Sequence, residues 1–262
     1  MIRSLYSAAT GMIAQQMNID NVANNMANVN TTAFKKSRIQ FQDLMYQTIK
    51  EAGSTTTTGL EKPSELTVGV GVKPVATQKS FSQGGIENTG NPLDLAINGD
   101  GFFQVVNNAG EQFYTRDGTF RINAQGQIVN SEGYYLEPAL SLPADTESVN
   151  ISKDGIVQVK LFGETEAQEI GQMELARFVN PAGLKSNGGN LFTATSASGE
   201  ALLGTPYSGS FGSLEQGYLE NSNVEIVNEM VNMISAQRAY DLNSKVVRTS
   251  EDMIRTAQGL KR

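Results

Sequence analysis

Carboxylates are the side chains best placed to do chemistry in this sequence. Asp94, Asp100, Asp117 and Asp154 stand beside turns, where a pair could serve as a glycosidase acid and nucleophile, or a group could ligate calcium. None lies in the ~12-residue loop of an EF-hand, and aspartate before glycine is also what a hairpin turn requires. The rest of the usual catalytic repertoire is missing. With no histidine and no cysteine, the chain lacks zinc sites, thiol nucleophiles, disulfides, histidine bases and Ser-His-Asp triads. Gly69-Val70-Gly71, Gly84-Gly85 and Gly99-Asp100-Gly101 lack dinucleotide or Walker spacing, so they read as turns and bulges. Asn30-Thr31-Thr32 matches a glycosylation acceptor, but also a helix-ending turn. The expectation is no catalytic residue, no cofactor and no metal.

Charge narrows the partners. Asp plus Glu number 27 against 20 Lys plus Arg, so there is no broad basic footprint for nucleic acid or an anionic membrane surface. The small cluster Lys35, Lys36 and Arg38 reads as a local complement to acidic neighbours. Charged residues make up only 18 % of the chain, with much Asn, Gln, Ser and Thr in their place. Such a surface is under-charged for a solitary monomer and is expected to be covered by partners. No window approaches ~18 unbroken apolar residues, so no membrane span is expected. The start, Met1 to Tyr6, lacks a basic region followed by an apolar stretch, so export without a cleaved signal is expected.

Three kinds of sequence must position these residues. From Ile2 to about Asn28, Leu5, Met12, Ile19 and Met26 recur every seven residues, which predicts a long helix. Its back carries amides: Gln15, Gln16, Asn18, Asn21, Asn24, Asn25 and Asn28. Phe34 to Ile49 reads as a short helix or an extended arm. The pliable, threonine-rich link from Glu51 to Gly59 follows. From Leu66 onward the pattern is strand-like, with turn signals at Asn107-Gly110, Asp117-Gly118 and Asp154-Gly155. A small antiparallel, barrel-like domain near 73–208 is predicted. From Asn223 to Gln258 a second stripe of Val224, Val227, Val231, Ile234, Leu242, Val246 and Met253 predicts another long helix. That stripe is too long for a small β domain to cover. The fold class is therefore α+β, with the two terminal helices paired as an antiparallel coiled coil around inserted antiparallel β-rich domains.

Longer motifs now carry a resemblance. Ala23 to Lys35, with Asn24, Asn25, Asn28, Asn30, Thr31 and Phe34, resembles the N-terminal signature of bacterial flagellar rod and hook proteins. Glu225 to Ser244, with Gln237, Arg238 and Tyr240, resembles their C-terminal signature. Ile97 to Phe103 and Tyr114 to Phe120 are similar to the middle domain, and Gln216 to Val224 to the approach to the last helix. The segment Glu51 to Glu65 points to the distal-rod branch of the family, although its threonines are unlike the forms usual there. The resemblance implies a subunit stacked helically with copies of itself in a hollow, rigid drive shaft. Proximal rod proteins, the hook protein, the P and L ring proteins and the flagellar type III export apparatus would be its partners. Its place would be the periplasm-spanning rod of the basal body.

The expected organisation is a core helix at 1–30, an arm and polar segment at 31–72, an outer β domain at 73–208, a return linker at 209–222 and a core helix at 223–262. The two stripes are expected to form the assembly seam. Gly53, Thr55, Thr56, Thr57, Thr58 and Gly59 are expected to stiffen the tube, since β-branched residues favour extended backbone that can bond across a subunit boundary. A proximal-rod or hook-type subunit remains an alternative, as does, outside the family, a carboxylate-dependent glycan hydrolase.

Overall fold

The computed structural model of the chain describes residues 2–52, 64–143, 145–163 and 166–259. The candidate stiffening residues Gly53, Thr55 to Thr58 and Gly59 lie outside them. The protein is α+β and forms two compact units. One comprises 1–27, 37–78 and 225–262; the other comprises 28–36 and 79–224.

Two helices dominate the first unit: α1 (Ile2–Ala27) and α2 (Ile226–Gly259). Each lies within a few residues of its expected span. Gly11 faces Asn243, and Asn25 reaches Glu229, so the helices run antiparallel. The faces they pair are not the apolar stripes. α1 buries Ala8, Ala14, Val22 and Asn25, while α2 buries Glu229, Ala236 and Ser250. Small side chains let the backbones approach: a Cβ on Gly11 would come within 2.9 Å of the Asn243 amide nitrogen. Val227, Val231, Ile234, Leu242, Val246 and Met253, the stripe that periodicity predicts to face α1, are exposed instead. At ~100° per residue Val227, Val231 and Ile234 fall on the side of α2 away from Ala236, whereas Val246 and Met253, one turn from Ser250, flank the buried face. Leu5, Met12, Ile19 and Met26 are half-buried on the flank of α1. Hydropathy ranks bulky residues first, whereas close helix contact selects small ones.

The stretch from Phe34 to Ile49 is extended, not helical. Ser37–Asp43 pairs with Val72–Lys79, and Gln47–Lys50 pairs antiparallel with Leu66–Val68. The two ribbons form an arm whose side chains are mostly exposed. Gly71 has φ of +118°, and a Cβ there would collide with Thr10 on α1, so glycine is required where the arm returns.

The second unit is all β apart from one short turn of helix. Its main sheet runs in the order Lys185–Gly188, Leu191–Thr193, Gln112–Thr115, Phe102–Val106, Tyr135–Glu137, Ile128–Val129, Arg121–Ile122, with Leu175–Arg177 and Leu202–Gly204 branching from it. Thr146–Ile151, Ile156–Leu161 and Gln168–Gln172 form an antiparallel meander. Among the described residues these pairings make open paths, not the closed ring of a barrel. Both faces of the strand Phe102–Val106 are covered. Phe103 and Val105 enter a core with Leu95, Ile97, Phe120 and Leu175. Phe102 enters a second core with Tyr114, Phe178 and Phe192, whose rings meet edge to face. Residues 209–222, expected as a linker, carry the strands Ser213–Gln216 and Tyr218–Glu220. These pair with Leu95–Asn98 and Ile86–Asn88, partners too distant in sequence to be seen locally.

Candidate assembly interface

The outer face of α2 is the most conspicuous unsatisfied surface of the first unit. Val227 leaves 67 % of its surface open and Leu242 61 %, and Val231, Ile234, Val246 and Met253 continue the row. Ile226 and Met230 widen it at the N-terminal end. Scattered exposed apolar residues are ordinary, but an apolar row along a helix, here interrupted at Arg238 and Thr249, is a candidate surface for another body to cover. Covering one such side chain fully contributes ~1.5–3 kcal/mol. On α1, Tyr6, Ile13 and Met17 are likewise exposed. In the C-terminal motif Gln237 and Arg238 are exposed, and Tyr240 is open to 38 %. Val224, also placed in the stripe, is buried in the second unit.

The N-terminal motif divides between different tasks. Asn25 is buried on α1 and bonded to Ser37, while Asn24 and Asn30 are exposed. Asn28 accepts the Thr31 hydroxyl at 3.2 Å in the turn that ends the helix. Phe34 is buried in the second unit, where the Lys79 ammonium lies over its ring and that of Phe192. Burial lowers the pKa of Lys79.

Beside Phe34, Lys35 is fully buried and meets the Glu220 carboxylate at 2.5 Å; Arg116 holds the other oxygen of that carboxylate at 2.9 Å. Lys35 also donates to the Ser82 carbonyl, Arg116 to those of Gly99 and Gly101, and the Gly84 N–H to Glu220. Burial works against the Glu220 carboxylate, but Arg116, Lys35 and these hydrogen bonds outweigh it and hold its pKa below the ordinary value. Lys35 is also lowered, mainly by burial and against the pull of Glu220. The cluster spans 185 residues of sequence, so composition revealed an acidic complement to Lys35 without identifying it.

Among the described residues, two clefts of the second unit bear on the aspartates. One of about 600 Å³ is lined by Gln104, Tyr135, Glu137, Pro138, Glu174 and Leu203, and Gln104 donates to Glu137 at 2.6 Å. The other, of about 210 Å³, contains Asp100 as its one aspartate. Asp94, Asp117 and Asp154 line neither. Asp117 instead accepts the N–H and hydroxyl of Thr119, and Asp154 precedes the turn glycine Gly155. Burial raises the pKa of Asp117 against those two hydrogen bonds. Among the described residues no three carboxylates are grouped to hold a metal, and no helix is long and apolar enough to cross a membrane.

Comparison with known proteins places these features. Residues 5–35 match the flagella basal body rod protein family, 96–159 the D1 domain of flagellar hook proteins FlgE/F/G, and 215–260 the C-terminal domain of basal body rod proteins FlgEFG. The chain is 48 % identical to the flagellar basal-body rod protein FlgG of Borreliella burgdorferi, over the whole of both chains. It is 47 % identical to that of Buchnera aphidicola subsp. Schizaphis graminum, over 97 % of this chain and 98 % of the relative. The flagellar hook protein FlgE of Helicobacter mustelae is 46 % identical, over 52 % of this chain and 30 % of its own length.

Proposed function

Because the chain belongs to the flagellar basal-body rod protein family, and is thus a structural axial subunit rather than an enzyme, we propose that it builds the distal rod. Copies stack helically into a rigid hollow shaft that turns with the motor and carries torque to the hook. The exposed apolar row on α2 carries this reading: it is the surface that one subunit offers to the next. A contact between two different faces of identical chains whose rotation does not close into a ring repeats indefinitely, which is how a helical tube grows. Likeness to FlgG over the full chain supports the distal rod over a hook-type subunit, since likeness to the hook protein covers only half of it. On the same reading the shaft adjoins proximal rod proteins below and the hook protein above. It passes through the P and L rings, and its subunits leave through the flagellar type III export apparatus without signal cleavage.

Leu242→Asp tests the proposal. At an exposed position the change alters the stability of the single chain by less than ~0.5 kcal/mol. In a covered seam it buries an unpaired charge, at a cost of several kcal/mol. Electron microscopy of the purified variant should show no tubes under conditions where the parent forms them, with the β unit still folded by circular dichroism. Normal tubes from Leu242→Asp would remove α2 from the seam.

A further inference from the structure

Ser37 opens the first strand of the arm, and α1 takes its N–H, its carbonyl and its hydroxyl. Its N–H donates to Asn25 Oδ1 at 3.0 Å. Its carbonyl accepts from Asn25 Nδ2 at 2.9 Å and from Asn21 Nδ2 at 2.8 Å. Its hydroxyl donates to Asn21 Oδ1 at 2.5 Å. The Asn25 carboxamide thus pairs with the backbone as a neighbouring strand would, while its nitrogen also lies 3.4 Å from Glu229 Oε2 on α2. At the other end of the ribbon, Gly71 packs against Thr10, and the Val72 N–H points to the Thr10 hydroxyl at 3.4 Å. Leu44 donates to the Gly71 carbonyl and closes the ribbon there. From Asn25 to Thr10 is ~22 Å of helix at ~1.5 Å per residue, so the ribbon lies along α1, hooked at both ends.

Asn21 and Asn25 are one turn apart. They share a face only when the chain between them is helical; an extended chain spreads them ~13 Å apart along its axis. We propose that Asn21 and Asn25 are positioning residues that make docking of the arm conditional on a formed α1, so the arm takes its place only once that helix exists. This inference rests on the fold of the first unit and stands whether or not the chain is the distal-rod subunit.

Hydrogen–deuterium exchange on the full chain, read peptide by peptide, tests it. In Asn21→Ala/Asn25→Ala the strands Ser37–Asp43 and Val72–Lys79 should exchange at least ten-fold faster, while the α2 peptides around Ala236 keep their protection. Ser37→Ala removes only the hydroxyl's bonds to Asn21 and Asn25, leaving the backbone pairing, and should give a smaller rise in the same two strands. Ala23→Pro interrupts α1 between the two amides from an exposed position and should release the arm as fully as the double variant. Arm protection that survives either the double variant or Ala23→Pro overturns the proposal. Exchange rising equally along α2 in Ser37→Ala also overturns it, because the asparagines would then be ordinary core residues of the helix pair.

Discussion

Lys35, Glu220 and Arg116 bury two cations and one anion almost completely, Arg116 leaving 4 % of its side chain open. Burying such charges is costly, and the cluster persists because backbone carbonyls and an N–H complete it. Its value lies in specifying one arrangement: residues 35, 82, 84, 99, 101, 116 and 220 must all be in place before every charge is satisfied. Removing one partner leaves the others buried and unpaired, so Glu220→Gln should cost ~3–5 kcal/mol in chemical denaturation. The pH dependence has a definite sign. The folded pKa of Glu220 lies below its ordinary value of 4.5, so its contribution is complete above that value and is lost as pH falls through the folded one. Lys35 works in the same direction: its folded pKa lies below its ordinary value of 10.5, so the stability it contributes is complete above that value and is lost as pH falls through the folded one. Denaturation from pH 6 downward (an ordinary working range) should therefore show the parent weakening below about 4.5. Glu220→Gln should be weaker throughout and lack that component. An equal acid slope in both chains would assign the lability elsewhere.

At the scale of elements, legibility followed the range of the forces involved. Turns were readable because their bonds are local: Asn107 accepts from the N–H groups of Ala109 and Glu111, and Asp117 from that of Thr119. Both helices were readable because a repeat along one helix face is visible in the sequence itself. The face each helix offers the other was not, since Gly11, Ala14 and Ala236 yield to Val231 and Leu242 in any ranking by hydropathy. Nor were the strands Ser213–Gln216 and Tyr218–Glu220, which exist through partners more than a hundred residues away. The buried cluster stayed hidden for the same reason. The threonine-rich segment lies in sequence between the paired strands Gln47–Lys50 and Leu66–Val68, and we propose, from its β-branched threonines and the likeness to rod proteins, that it stiffens the shaft. A shaft bends when axial neighbours change spacing, and an extended segment bonded across a subunit boundary opposes that, at ~0.5–1.5 kcal/mol per hydrogen bond. Deleting Glu51 to Glu65 should leave tubes that assemble but have a shorter persistence length in electron micrographs. Unchanged stiffness would assign rigidity to the helices or to the β unit.

The whole molecule acts only as a repeated part. Its helix pair uses mainly small residues for internal contact and leaves the bulky apolar row of α2 exposed, a division that suits a subunit better than a monomer. The native absence of cysteine permits a direct test with single-cysteine variants at Val231, Leu242 and Val246 on the outer row of α2, and at Phe162, which is exposed in the β unit. Maleimide labelling is measured before and after assembly. All four positions should react in the dispersed chain. In assembled tubes the three α2 positions should become at least ten-fold slower, while Phe162→Cys remains the reference for an uncovered or less covered surface. Tubes in which Val231→Cys, Leu242→Cys and Val246→Cys label as fast as in the dispersed chain would contradict the account, because the row would then face open solvent in the finished shaft.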